Sequence, residues 1–370
     1  MIALAALLVV QDVQTGDAWI PHLRYLARHQ AADGSWGARP AGCTCPEPAP
    51  PAKADPAALL LQLGHDEVAR RDAAERELRA LGDSALPALR AGAEHTDPEI
   101  RARCARVIER LATRCTGVSD LETSALAVLA FLGDGYSHLS RDTYEDLCYG
   151  TAVKRGLQWL IARQDADGFF DRKDAPGNAV AALALSEAYG ATGSALYKEP
   201  AQKGVSAIGR TPGGDPRDLA WKALLLISAR DSELEGDFAG QAAAMADLLK
   251  ESGSPLALAA RARFKGSFQR EPDPAAVETL AGLEPKALHP ELRYFSTLAL
   301  LSLEGSGWKR WNPRFKDSLL PLPTRGVAPC ERGAREGEDL RGRLRATALH
   351  QLSFQIYTRP WRGPFVPAKK

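Results

Sequence analysis

The sequence is nearly without net charge: 47 Lys and Arg against 46 Asp and Glu leave +1 at neutral pH over 370 residues. Such a chain generates no bulk field to gather nucleic acid or an anionic membrane, and neither is expected as a partner. It has no apolar run long enough to span a bilayer. No run of alternating apolar and polar residues reads as a convincing strand, which removes sheet-based folds. A Walker loop, a Gly-x-Ser-x-Gly elbow and a His-Glu-x-x-His pair are all missing, and with them the chemistries they announce. Of the six cysteines, only Cys43 and Cys45 are close together. They have no second close pair and no His at finger spacing, so no metal is assigned there and no cofactor is expected. The even number permits disulfides in an oxidising compartment. The stretch MIALAALLVV (Met1–Val10) has the size of an export signal but lacks a basic start and a clear cleavage site. Two locations follow from it: secreted or periplasmic if it is a signal, otherwise cytoplasmic, with the stretch packed as a helix end.

What the sequence does contain is helix. Glu122–Leu132, Asn178–Gly190, Asp218–Ala229 and Tyr294–Gly305 are rich in Ala and Leu, and Gly or Pro commonly bounds them. They alternate with more amphipathic segments: Asp17–Gln30, Asp146–Gln164 and Leu196–Ile208. A helix apolar nearly all round is buried, whereas one with a single apolar stripe covers a surface. The alternation therefore predicts an all-α protein with inner helices shielded by outer ones, an α/α toroid of about six hairpins. Around Gly236–Leu283 the pattern is weaker.

One region breaks the rhythm. Arg39–Pro56 is proline-rich and reads as a linker. Helical segments follow at Ala57–Leu81, Ser84–Glu94 and Pro98–Leu111. The Leu81–Leu111 stretch resembles the HEAT repeat in its Leu-Gly-Asp turn, the proline of Ala-Leu-Pro-Ala-Leu, and the opening Asp-Pro-Glu-Ile-Arg of its second helix. A pair of this kind cannot bury its own apolar face, so it is expected to dock on the ring or on a protein partner. The predicted division is 1–45 for the N-terminal segment and first toroid helix, 46–114 for the insertion, and 115–370 for the remainder. Cys43 or Cys45 with Cys115 would bridge the ends of the insertion.

Two stretches carry a more specific signal. Lys154, Gly156, Trp159, Leu160, Gln164, Gly168 and Phe170 follow the order basic, Gly, aromatic, aliphatic, Gln, then Gly-x-aromatic. Arg24, Tyr25, Leu26, Gln30, Gly34 and Trp36 follow it again, and Trp308–Gly326 is a degraded copy without the Gln. The pattern resembles the QW motif of the squalene cyclase and protein prenyltransferase superfamily, and most closely bacterial prenyltransferase and squalene-oxidase repeat proteins. That resemblance implies that Gln30 and Gln164 brace helix ends while the aromatic stacks on the neighbouring repeat, so their role is structural.

The superfamily's chemistries do not carry over residue by residue. Cyclases protonate a polyene with Asp-x-Asp-Asp, which is absent; the nearest string, Asp165-Ala166-Asp167-Gly168, lies inside a QW motif. Prenyltransferases hold zinc through Asp, Cys and His. Asp146-Leu147-Cys148 has the spacing, and His289 or His350 could complete a set, but the pair opens an outer helix and reads as a helix-start acid and a small thiol. No catalytic residue is assigned. Polar and aromatic groups do gather where the inner helices begin: Asp120, Glu122, Asn178, Asp218, Trp221, Arg293, Tyr294 and Arg345. Asp120 and Asp218 are expected as helix caps, and Arg293 and Arg345 as their charged partners around a cavity. Two functions remain open: a binding or scaffold protein for a polypeptide or glycan, with the HEAT-like insertion available to a protein partner and the cavity to a small apolar or polymeric ligand; or an enzyme on an isoprenoid or other apolar substrate. A plugged polar mouth favours the first and an open apolar cavity with a convergent acid the second.

Overall fold

The computed structural model describes residues 20–40, 43, 54–112, 119–144, 146–211, 213–250, 254–267, 274–303, 305–319 and 340–357. The signal-sized stretch, most of the proline-rich linker, Cys45, Cys115, Cys330 and the end of the degraded motif lie outside them. The described residues are mostly helical, so the all-α class holds. The chain divides into two compact units. One comprises Met1–Cys45, Ser119–Gly333 and Arg343–Lys370; the other comprises Pro46–Val118 with Ala334–Gly342.

The first unit begins with α1 (Ile20–Arg28). The second holds α2 (Pro56–Gln62), α3 (Val68–Leu81), α4 (Leu86–Gly92) and α5 (Pro98–Ala112). The chain then runs through α6 (Asp120–Gly133), the short hairpin β1 (Thr143–Tyr144) and β2 (Leu147–Cys148), α7 (Tyr149–Arg163), α8 (Ala175–Thr192), α9 (Ala195–Gly209), α10 (Pro216–Asp231) and α11 (Phe238–Lys250). It finishes with α12 (Pro255–Ser267), α13 (Pro274–Gly282), α14 (Pro290–Leu303), α15 (Gly305–Leu319) and α16 (Leu340–Gln355).

In the first unit α6, α8 and α10 are largely buried, as are α14 and α16. Their starts are set by local chemistry. Ser119 caps α6 by accepting from the amide of Glu122, Asp174 caps α8 through Gly177, and Asp215 caps α10 through Arg217 and Asp218. Proline stands in the first turn of α8 and α10, where its missing N–H costs nothing. α6 packs on α8, α8 on α10, α10 on α12 and α12 on α14. The amphipathic α7 and α9 lie against α6 and α8, and α15 against α14. α16 meets α6 through Gln355, whose Nε2 donates to Ala130 O, and meets α14 through Arg293 and His350. The expected helix at Asp146–Gln164 starts later, because Leu147–Cys148 pairs with Thr143–Tyr144 as a two-residue ladder.

The second unit has its own core of Leu60, Leu63, Ala74, Leu78, Ala85, Leu89, Ile100, Cys104 and Val107. The sequence predicts one helical segment over Ala57–Leu81, but the chain breaks it into α2 and α3. The break is built from side chains: His65 Nδ1 accepts from Glu67 N at 3.0 Å, and Arg71 donates to the carbonyls of His65 and Asp66 at 2.7 and 3.0 Å. The same device recurs before α5, where His95 Nδ1 accepts from Asp97 N at 3.0 Å and Arg101 donates to His95 O and Thr96 O at 2.7 Å each. The unit is thus two copies of one helix-turn-helix. Between them Arg103, itself buried, bonds Glu99, Asp72 and Glu75 at 2.7, 2.9 and 3.0 Å.

Candidate functional site

The two copies of the glutamine-containing pattern form the same joint. Gln30 Nε2 donates to Gly34 O (3.0 Å) in its own turn and to Ala152 O (2.8 Å) in α7. Gln164 Nε2 donates to Gly168 O (3.2 Å) and to Pro200 O (2.9 Å) in α9. Each turn also holds a second, buried helix, α6 or α8: Trp36 N donates to Ser124 Oγ at 2.8 Å, and Phe170 N to Asn178 Oδ1 at 2.6 Å. Gly34 and Gly168 adopt φ +97° and +96°, and a Cβ there would stand 2.5 and 2.3 Å from the carbonyl oxygens of Arg155 and Lys203. Only glycine allows so close an approach of turn to helix. Gln30 therefore clasps its turn to α7 and Gln164 clasps its turn to α9, and Asn178 belongs to the second clasp.

Near the starts of α6, α10, α14 and α16, four charged groups interlock. Glu122 of α6 accepts from Arg345 Nε of α16 at 2.7 Å and from Arg217 of α10. Glu291 of α14 lies 2.8 Å from Arg345 Nη2 and 3.1 Å from Arg217 Nε, and accepts from the indole of Trp221 at 2.7 Å. Glu122, Glu291 and Arg345 are buried, and Arg217 is partly exposed. Burial alone would raise the Glu291 carboxyl, but Arg345 and Arg217 hold it well below the usual carboxylate range. The cluster is two carboxylates matched by two guanidiniums. Tyr294 stacks on Trp221 with ring centres 6.2 Å apart, and Phe295 meets the same indole edge-on at 4.9 Å.

Of the residues singled out from sequence, Glu122, Trp221, Tyr294 and Arg345 come together here. Asp120 and Asp218 are not the caps; Ser119 and Asp215 are, because each stands immediately before the first helical residue with its side chain free to turn back. Asp120 sits instead against Gly37, where a Cβ would approach its Oδ1 to 2.0 Å. Asp218 pairs with Lys222 at 2.7 Å, and Lys222 also donates to the carbonyls of Thr211 and Gly213 at 2.6 and 2.7 Å. Burial pushes the Asp218 carboxyl upward against the opposing pull of Lys222. Arg293 faces a different partner: its Nη2 lies 2.9 Å from His350 Nδ1 and 3.3 Å from Nε2. A guanidinium only donates, so the facing imidazole nitrogen is an acceptor. His350 in turn lies near His22 of α1, with ring centres 6.2 Å apart, and burial pushes His22 down to about 4.

Sequence reasoning missed Glu291 and Arg217. A signal was present: each follows a proline that opens its helix, Pro290 or Pro216, and so occupies the first turn as Glu122 does. His22 and His350 gave no comparable signal. Among the described residues no group of three or more His, Cys, Asp or Glu side chains is arranged to hold a metal ion. Nor is any helix among them long and apolar enough to cross a membrane. Among the described residues Cys43, Cys104 and Cys148 are free cysteines; Cys45 and Cys115 of the expected bridge lie outside them. Compared with protein-family models, curated proteins and solved structures, the chain matches none.

Proposed function

We propose that the first unit is an α/α toroid of the squalene cyclase and prenyltransferase kind that serves as a binding or scaffold protein, with a polypeptide or glycan as ligand. The order of packing from α6 to α14, joined back to α6 through α16, supports the ring. The observation that carries the non-catalytic reading is the Glu122–Arg217–Glu291–Arg345 cluster. A polyene-protonating acid has to hold a proton, and a cyclising cation has to meet an apolar, aromatic-lined space. Here the carboxylate at the helix ends is kept ionised by two arginines, and the charges neutralise one another. The insertion, built of paired HEAT-like helices, supports a role in holding a protein partner.

The test is direct. Purified protein is incubated with squalene and with polyprenyl diphosphates, with and without zinc, and products are sought by mass spectrometry. In parallel it is screened on glycan and peptide arrays. Array binding without turnover is the expected result; turnover of either substrate would establish the enzyme reading instead.

A further inference from the structure

The two clasps differ in how their outer faces are filled. At the first, the Trp159 indole covers the turn and donates to Asp33 Oδ2 at 3.1 Å. Beside it Arg155 donates to Ala31 O and Ala32 O at 3.0 and 2.5 Å. Aligning the clasps on their shared glutamine bonds places Ala207 where the first has Trp159, and Lys203 where it has Arg155. Ala207 supplies a methyl group in place of an indole, and Lys203 turns to Glu199 at 2.8 Å. Beside the second joint, between its turn and α9, lies an open concavity of about 650 Å³. Asp167, Phe169, Arg172, Lys203, Ser206 and Arg210 line it, so three cations face it against one carboxylate.

Two of those cations are loosely engaged. Arg172 has a side chain 58% exposed and pairs with Asp165 and Asp167; Lys203, 50% exposed, pairs with Glu199. Ion pairs this open to water contribute little, so these two side chains can turn from their own partners to an incoming anion, while Arg210 is held at the rim by donating to Asp167 O at 2.6 Å. Arg172 also stands over the Phe169 ring, 4.9 Å from its centre. The size lies within the range of ordinary ligand pockets. The walls are a tight turn and a helix: Gly168 N donates to Asp165 O and Asp165 N to Phe169 O, so no strand edge is offered to an extended peptide. Cations, an aromatic ring and the Ser206 hydroxyl suit a sugar that carries carboxylates.

We propose that this concavity is a subsite for a saccharide bearing uronic acid groups, its carboxylates paired with Arg172, Lys203 and Arg210. The proposal rests on the binding reading only for its class of ligand. It lies apart from the helix-end cluster, so isoprenoid turnover would overturn that reading and leave this site standing.

The experiment titrates the full chain calorimetrically with tri-galacturonate, with neutral maltotriose and with tri-glutamate. Tri-galacturonate is expected to bind, more weakly as salt is added, while maltotriose does not. The double variant Arg172→Glu/Lys203→Glu should weaken binding by about tenfold or more while the helical circular dichroism stays that of a folded chain, since both side chains are exposed. Ser206→Trp, which fills the concavity from its own lining, should abolish it. No binding of tri-galacturonate, or binding that survives the double charge reversal, overturns the proposal. Equal binding of tri-glutamate overturns the saccharide assignment.

Discussion

Gln164 shows how much one side chain carries in this protein. Its amide serves Gly168 O and Pro200 O at once, and Gln164→Ala leaves both carbonyls without that donor. A loss of about 1–3 kcal/mol is expected, read as a lower urea midpoint with the slope unchanged. Gly168→Ala should cost more. It places a side chain at φ +96° and a Cβ 2.3 Å from Lys203 O, so either the turn or α9 has to move. The clasp residues were legible in the sequence because their job fixes residue types at fixed spacing: a long amide, a glycine with positive φ, and a ring. Glu291 and Arg217 were not, because a charged residue in a first helical turn reads equally as a solvated one. Only the three-dimensional meeting of α6, α10, α14 and α16 separates the two readings.

Helices are where the sequence was most readable, and the reason is burial. α6, α8, α10 and α14 are apolar around most of their circumference, so their patterns survive without knowledge of their neighbours. Failures occurred where side chains overrode periodicity. The α2–α3 break depends on His65 and Arg71 bonding backbone groups, which apolar spacing does not record. What ties the starts of α6, α10, α14 and α16 together is charge, and this gives a second prediction. Glu291→Gln keeps the shape but leaves Arg217 and Arg345 sharing the single charge of Glu122. A loss of about 3–5 kcal/mol is expected in equilibrium unfolding, as for a buried pair deprived of one partner. Adding Arg345→Met should restore a large part of it, and the double-mutant cycle measures the coupling. If the two losses simply add, the four groups do not act as one network.

For the molecule as a whole, acid is the expected weakness. His22 is pushed down to about 4 by burial from an ordinary 6.5, so the unfolded chain takes up a proton that the native chain refuses. This group's contribution is therefore complete above about pH 6.5, is lost as pH falls from about 6.5 to about 4, and levels off below that, the loss reaching about 3 kcal/mol. Glu291, held ionised by its arginines, loses stability in the same direction once pH enters the carboxylate range. Urea midpoints at pH 7.5, 5.5 and 4.5 test this, and His22→Leu should flatten the upper part of the profile. A separate prediction concerns the insertion, whose nine-residue core is its own. Replacing residues 46–114 by a short flexible linker should leave a soluble, cooperatively melting helical protein by circular dichroism, because loop closure grows costly only slowly with length. A variant that fails to fold would mean that the arm completes the first unit's core. The clasps, finally, impose a timetable on a chain made from its N-terminus. The glutamine bond of the second spans 36 residues, that of the first spans 122, and the Gln355–Ala130 bond spans 225. Gln30 leaves the ribosome early yet waits for the whole insertion and then α7 before its acceptor exists. By order of synthesis the first clasp can close once Ala152 is made and the second only once Pro200 is made, while Ala130 waits for Gln355 of α16, the last of the described helices.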